Sequence, residues 1–244
     1  MQNDEDVGLA AGAHAVEILR NAIASKGEAS IVVGTGASQF AILKTLTASK
    51  EVAWDKVNLF HLDEYVGLTA DHPASFRRFL KEYFIDRVGR LKSINYVLGD
   101  APDLLAECRR LSEVIAQLEI TLSLIGIGEN GHLAFNDPPA DFESEHPFIV
   151  VTLDKACRMQ QVGEGWYGSL ADVPEQAITM TIPQIMKSRH LIACVLDERK
   201  AEAAYKAIDG ELTNQVPSSI LRQHPNCTLY FDPAAASLLS AARA

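Results

Sequence analysis

An α/β fold, with a mainly parallel sheet and helices on both of its faces, is what this sequence predicts. Three observations carry that expectation. Short apolar, β-branched runs alternate along the chain with segments whose apolar residues fall at helical spacing, as repeated βα units require. Two of these runs end in glycine-rich or polar clusters, and in open α/β sheets ligands bind beyond the carboxyl ends of strands. The 244 residues suffice for one sizeable core, and no internal repeat or low-complexity tract interrupts them. The expected architecture is three-layered and Rossmann-like, with residues 1–244 as a single domain.

Each element has its own signal. Residues 7–24 place Ala, Val, Ile and Leu on one face of an amphipathic helix. Residues 30–33 are a β-branched strand, followed by the turn Gly34-Thr35-Gly36-Ala37-Ser38 and a helix over 38–48. Residues 57–62 form the next strand. A helix over 75–88 has Ser75 as its N-cap. Residues 94–98 read as a strand and 102–117 as a helix, with Pro102 in the first turn. The apolar run 120–127 is the central strand. Further strands are expected over 148–153, 177–182, 191–196 and 227–231. Helices are expected over 198–208 and from Pro233 onward. The Gly/Pro/Asp-rich stretch 136–146 is expected to be a mobile loop able to close over a ligand.

Composition narrows the functional classes. With 48% hydrophobic and 22% charged residues the chain is ordinary globular protein. A net charge of −10 argues against nucleic acid as a main partner, yet local cations and backbone N–H groups can still hold one phosphate. No apolar run has the length of a membrane span. The acidic start, Met1 to Asp6, is unlike a secretory signal, so a cytoplasmic protein is expected. Cys108, Cys157, Cys194 and Cys227 are scattered without C-x-x-C spacing and read as buried thiols of a reducing compartment. The histidines form no H-E-x-x-H pair. His61 and Asp63 are a weak metal candidate, and neither a metal nor another cofactor is expected.

Two segments carry chemistry. Gly126-Ile-Gly-Glu-Asn-Gly-His132-Leu-Ala-Phe-Asn-Asp137-Pro138 breaks the central strand with three glycines and delivers His132 and Asp137 just past its end. A His and a carboxylate there can do acid–base work, or the segment is a glycine turn with a surface His. Val57 to Gly67 runs from a strand into His61, Asp63 and Glu64. Adjacent carboxylates after an apolar strand are costly unless solvated or paired, so this is either a strand surfacing into water or half of a site. The turn from Gly34 to Ser38, between strand and helix, can cradle an anion with its N–H groups, the Thr35 and Ser38 hydroxyls and the helix dipole.

These blocks, with His61-Leu-Asp-Glu-Tyr-Val-Gly-Leu68, His72-Pro-Ala-Ser-Phe76, Asp197-Glu-Arg-Lys200-Ala201 and Pro217 to Pro225, resemble the glucosamine-6-phosphate deaminase (isomerase) family, which shares its fold with the 6-phosphogluconolactonases. The resemblance spans nearly the whole chain. It implies conversion of an amino-sugar 6-phosphate, glucosamine 6-phosphate or a close relative, to a keto-sugar phosphate (fructose 6-phosphate) and ammonia, with a small sugar phosphate as the binding partner. It assigns Asp63 as the base at C2, with Glu64 beside it in the substrate site, and His132 as the ring-opening group. Asp137 would orient His132, and Lys200 would bind phosphate.

The chain also departs from the family. Asp137 stands where Glu is usual and Asn130 where Asp is usual. The segment from Gln160 to Trp166 lacks the phosphate-contacting arginine, having Gln161, Gly163 and Glu164 instead. Either another cation, Arg158 or Arg222, substitutes, or the substrate differs. Trp166 either stacks on a sugar or lies buried under a loop. A lactonase on the same fold and a non-catalytic phosphosugar sensor are the alternatives. The short tail after the last expected helix implies a monomer or small homo-oligomer without allosteric activation.

Overall fold

The computed structural model describes residues 3–240. Its strands are β1 (Ala29–Val33), β2 (Val57–His61), β3 (Asp63–Tyr65), β4 (Ser93–Asn95), β5 (Leu122–Ile125), β6 (Phe148–Thr152), β7 (Gln176–Met180), β8 (His190–Val195) and β9 (Cys227–Phe231). The helices are α1 (Asp4–Lys26), α2 (Gln39–Ala48), α3 (Phe76–Leu80), α4 (Asp86–Val88), α5 (Leu104–Ile115), α6 (Lys155–Gly163), α7 (Ile182–Met186) and α8 (Ala201–Ile208).

Six strands form one sheet in the order β4-β2-β1-β5-β8-β9, and every pair in it is parallel. β1, β2 and β5 are buried along their whole length, as parallel strands covered on both faces must be. Alternate residues feed two cores. Val32, Phe60 and Ile125 face one layer, while Ile31, Val33, Leu59 and Leu124 face the other. From β1 the chain works outward through β2 to β4, then returns to add β5 on the opposite side. The carboxyl ends of β1 and β5 therefore flank a topological switch point, where open α/β sheets leave a crevice.

A second sheet, β3-β7-β6, is antiparallel. The strand expected over 57–62 stops at His61, and after Leu62 the chain enters this second sheet as β3. Leu62 joins the two, donating its N–H to Val33 O (3.4 Å) and accepting from Met180 N (3.0 Å).

Other expectations are corrected. α5 begins at Leu104 rather than Pro102, because the Asp103 carboxylate takes the N-cap by accepting from Ala106 N at 2.9 Å. The helix expected over 75–88 is interrupted by a π turn at Lys81–Ile85. Ser75 sits at its N-cap position but makes no capping bond with its side chain. In place of a helix from Pro233, Asp232 gathers a set of turns by accepting from Ala235 N (2.8 Å) and Ala236 N (3.1 Å). Residues 241–244 lie outside the described residues. The stretch 136–146 is anchored at its start. Asn136 Nδ2 donates to Leu133 O (2.8 Å) and Met180 O (2.9 Å), and buried Ala140 donates its N–H to Asn214 O. No helix among the described residues is long and apolar enough to cross a membrane.

α1 and α2 pack closely because two glycines of α1 leave room. A Cβ on Gly8 would lie 2.3 Å from Ala41 Cβ, and one on Gly12 would lie 2.5 Å from Thr45 Cβ. Since α2 follows the Gly34–Ser38 turn directly, this contact also fixes the turn. Gly12→Leu is expected to destabilise the fold by roughly 1–3 kcal/mol through overpacking, read as a lower midpoint in urea with the slope unchanged.

Candidate active site

A cavity of about 190 Å³ opens at the switch point. Its floor is the turn from Gly34 to Ser38 after β1 and Gly126 to Gly128 after β5. Leu62 and Asp63 come from the junction of the sheets, with Phe76, Ala134, Phe135 and His132 beside them. Gln160, Gln161 and Glu164 at the end of α6, and Asp197, Arg199 and Lys200 after β8, close the far side.

The floor explains its glycines. A Cβ on Gly34 would meet Leu124 O at 3.0 Å and Leu62 Cδ2 at 3.1 Å, so only glycine lets β1 end so close to β5. Gly36 has φ +104°. Gln39 fastens the turn by donating to Ile125 O at 3.1 Å. The N-termini of α1, α5 and α6 are capped by Asn3, Asp103 and Asp154, whereas α2 has neither a side-chain cap nor an acid in its first turn. Its positive end and the turn before it face the cavity, an arrangement suited to an anion.

Asp63 and Glu64 part company because successive strand residues face opposite sides. Asp63 faces the cavity at 5% exposure. Burial, reinforced by the neighbouring Glu64 charge, pushes its carboxyl well above the usual carboxylate range. Glu64 does not reach the cavity, contrary to its expected place in the substrate site. It turns inward and is fully buried. It accepts from Tyr65 N (3.0 Å), Phe76 N (3.2 Å), Arg77 N (2.9 Å) and Ser75 Oγ (2.8 Å). Burial raises its carboxyl, and those donors pull it back. Ser75 thus orients the acid that serves the start of α3, instead of capping that helix itself. The α3 end so fixed carries Phe76, which stacks on Phe135 at 5.8 Å with the rings 7° apart to form the apolar wall.

His132 lies flat over Gly128, where an added Cβ would come within 2.3 Å of its ring. Gly131 turns the chain at φ +84°, and His132 N donates to Asn130 Oδ1 at 3.0 Å. The ring Nδ1 is 3.1 Å from Asp137 Oδ1 but off the line of a hydrogen bond, so the contact is electrostatic and Nδ1 keeps no directed partner among the described residues. Burial opposes ionisation of Asp137, yet His132, the Asn130 amide (3.0 Å) and Asp154 N (3.1 Å) together hold its carboxyl below the usual value. Asn130 Nδ2 also lies 3.3 Å from Asp154 Oδ2. An amide between two carboxylates donates to both, where a carboxylate would repel both.

The cationic side differs from expectation. Lys200 lines the cavity, its side chain only 12% exposed, and burial pulls its ammonium below the usual lysine range. Arg158 does not line the cavity. Its guanidinium donates to Leu170 O (2.9 Å) and Val173 O (2.8 Å). Arg222 is likewise turned to Ser219 O and Ile208 O. Arg199, which sequence reasoning passed over, occupies the vacated place. Its Nη1 is 3.7 Å from where a Cβ on Gly163 would stand, and it pairs with Asp197 (3.1 Å) and Glu129 (3.5 Å). Its position beside Lys200 in the sequence was the available signal. Trp166 is half-buried among Phe79 and its neighbours rather than in the cavity.

His61 and Asp63 do not share a ligand site. His61 is buried, accepts from Val97 N, and is held neutral by burial, which brings it down to about 3. The potential metal donors that do converge are His132, Asp137 and Cys157, within 4.8 Å of one another. Burial first, then Asp137 and Asp154, keep the Cys157 thiol protonated. A cation there would occupy the His–carboxylate pair itself.

The model for glucosamine-6-phosphate isomerases/6-phosphogluconolactonase matches residues 2–230. A glucosamine-6-phosphate deaminase of Oenococcus oeni is 34% identical over 232 residues, covering 95% of each chain. One from a Geobacillus species is 35% identical over 230 residues, covering 92% of this chain and 90% of the relative. The solved structure of a monomeric glucosamine-6-phosphate deaminase superposes with a TM-score of 0.88 at 29% identity, over 98% of both chains. A 6-phosphogluconolactonase from Shewanella baltica superposes at 0.79 with 16% identity over 95% of each, a likeness of fold alone.

Asp63→Asn removes a buried charge and is expected to stabilise the protein by roughly 1–3 kcal/mol at neutral pH, a rise in Tm of a few degrees. An acid with a raised folded pKa loses stability as pH climbs from its unfolded value to its folded one. The gain should therefore fade below the ordinary Asp range, where both side chains are neutral, and thermal scans across pH check this.

Proposed function

The chain belongs to the glucosamine-6-phosphate isomerase/6-phosphogluconolactonase family, and we propose that it is a glucosamine-6-phosphate deaminase, an aldose–ketose isomerase that releases ammonia. The observation that carries this reading is the convergence of Asp63 and His132 on one cavity whose other end offers N–H groups, an uncapped helix and Lys200. A sugar phosphate is long enough to need both ends. Anchoring the phosphate holds the reacting carbons against the carboxylate, so remote binding energy is used for positioning.

The chemistry follows in three steps. His132 takes the proton of the anomeric hydroxyl and returns one to the ring oxygen, opening the sugar to the aldehyde. Asp137, ionised and beside Nδ1, stabilises the ring while it carries the extra proton. Asp63 then removes the C2 proton while the aldehyde oxygen takes up a proton, giving an enolamine; return of the C2 proton to C1 and loss of one proton from the nitrogen give the 2-imine. Water adds to that imine and ammonia leaves, giving fructose 6-phosphate. A base in a pocket with a raised pKa is a stronger proton acceptor than an exposed Asp, as removal of a carbon-bound proton demands. The phosphate takes the Gly34–Ser38 turn and Lys200, with Arg199 in place of Arg158. The protein is read as cytoplasmic and as a monomer or small homo-oligomer.

Ammonia release from glucosamine 6-phosphate, beside an Asp63→Asn variant, tests the reading. Wild-type turnover with at least a thousandfold loss in the variant is expected. Absence of ammonia from the wild type, with the sugar phosphate bound, would refute it. Because Asp63 must be ionised and its pKa is raised, the acid limb of kcat/KM should lie well above the ordinary Asp range. Replacing Glu64 by Gln should move that limb to lower pH by removing a like charge. A pH–rate series on both proteins checks the direction.

A further inference from the structure

The cationic end of the cavity carries a group that a phosphate site has no use for. Glu164 follows α6 directly, and its side chain is 10% exposed. Its Oε1 lies 3.7 Å from Lys200 Nζ and accepts from Gln160 Nε2 at 2.7 Å, while Gln160 Oε1 accepts from Glu129 N at 3.0 Å. The separation from Lys200 exceeds a hydrogen bond, so the ammonium is neutralised without being satisfied and keeps its donors for another acceptor. Local stability does not account for the residue. A carboxylate at a helix C-terminus meets the negative end of the dipole, and here it is also largely removed from water.

We infer that Glu164 is a tethered counter-ion that competes with the substrate phosphate for Lys200 and must leave it before that phosphate can bind, so that this residue lowers the affinity for phosphorylated sugars. The inference rests on the proposed function for the identity of the incoming anion. Both anions seek the same ammonium, and their charges repel in a site partly screened from water. Room to move is built in, since Gly163 and Gly165 flank Glu164. Gly165 has φ +81°, and nothing stands within 4 Å of where its Cβ would be. Arg199 stands beside the same phosphate position and feels Glu164 too, but its contacts at 3.1 and 3.5 Å are with Asp197 and Glu129, which leaves Lys200 as the cation that Glu164 contacts.

Calorimetric titration of the full-length protein with inorganic phosphate, beside KM for ammonia release, tests this in Glu164→Gln, Lys200→Met and the double variant. Gln keeps an oxygen for Gln160 and loses only the charge. Glu164→Gln should bind phosphate about tenfold more tightly and show a lower KM, and the gain should vanish in the Lys200→Met background. Glu164→Ala, which also gives up the Gln160 contact, should move in the same direction. Unchanged or weaker phosphate binding in Glu164→Gln overturns the inference, as does a gain that survives loss of Lys200. Tighter phosphate binding without ammonia from any protein would sink the proposed reaction and leave Glu164 as inferred. Ammonia release with phosphate affinity unmoved would do the reverse.

Discussion

The burial of two adjacent carboxylates where one sheet passes into another is the constraint on which the rest of this structure depends. Glu64 can be buried because the start of α3 supplies it with backbone N–H groups and the Ser75 hydroxyl. That network in turn fixes Phe76 and, through it, the apolar wall of the cavity. Asp63 has no such support, and no donor among the described residues is placed to stabilise its charge. One acid of the pair is therefore structural and the other is left facing the cavity. The alternation of β3, held by its pairing with β7, divides them.

The opposite corner of the cavity is organised by contact distances. A side chain on Gly128 would collide with the His132 ring, and one on Gly34 would press on the end of β5 at 3.0 Å. Around the ring, Asn130, Asp137 and Asp154 form a set in which one amide lies between two acids. The two departures from the family in this region belong together. Asp137 reaches less far than Glu would, and Asn130 lets it remain ionised next to Asp154.

Much of this was legible in the chain, for definite reasons. The parallel sheet was readable because β1, β2 and β5 are buried on both faces and so are mainly apolar. Asp63 and His132 were readable because both lie in the segments that follow such strands. The division of Asp63 from Glu64 was not, because it depends on β3 pairing with β7, a partner remote in sequence. Arg158 was misread since a cation's partners are set by tertiary packing. Here they are the carbonyls of Leu170 and Val173, which nothing local to Arg158 announces. The helix expected from Pro233 failed because Asp232 side-chain and backbone acceptors draw that segment into turns. α6 escaped notice although it carries Gln160 and ends at Gly163, just before Glu164. It is short and polar, and its N-terminal signal is the single Asp154.

The pairing of Asp63 with Thr179 has a consequence for how the molecule comes into being. During synthesis the first part of the parallel sheet can assemble while β7 is still unmade. Through that interval Asp63 lies on an unpaired edge, hydrated and ionised like any acid of an unfolded chain. Docking of β7 pairs the Asp63 backbone and completes the burial of its carboxylate. At any pH between its free and buried values, completing the fold draws a proton from solution. The candidate site of this protein is thus finished late, and its completion is itself an acid–base event.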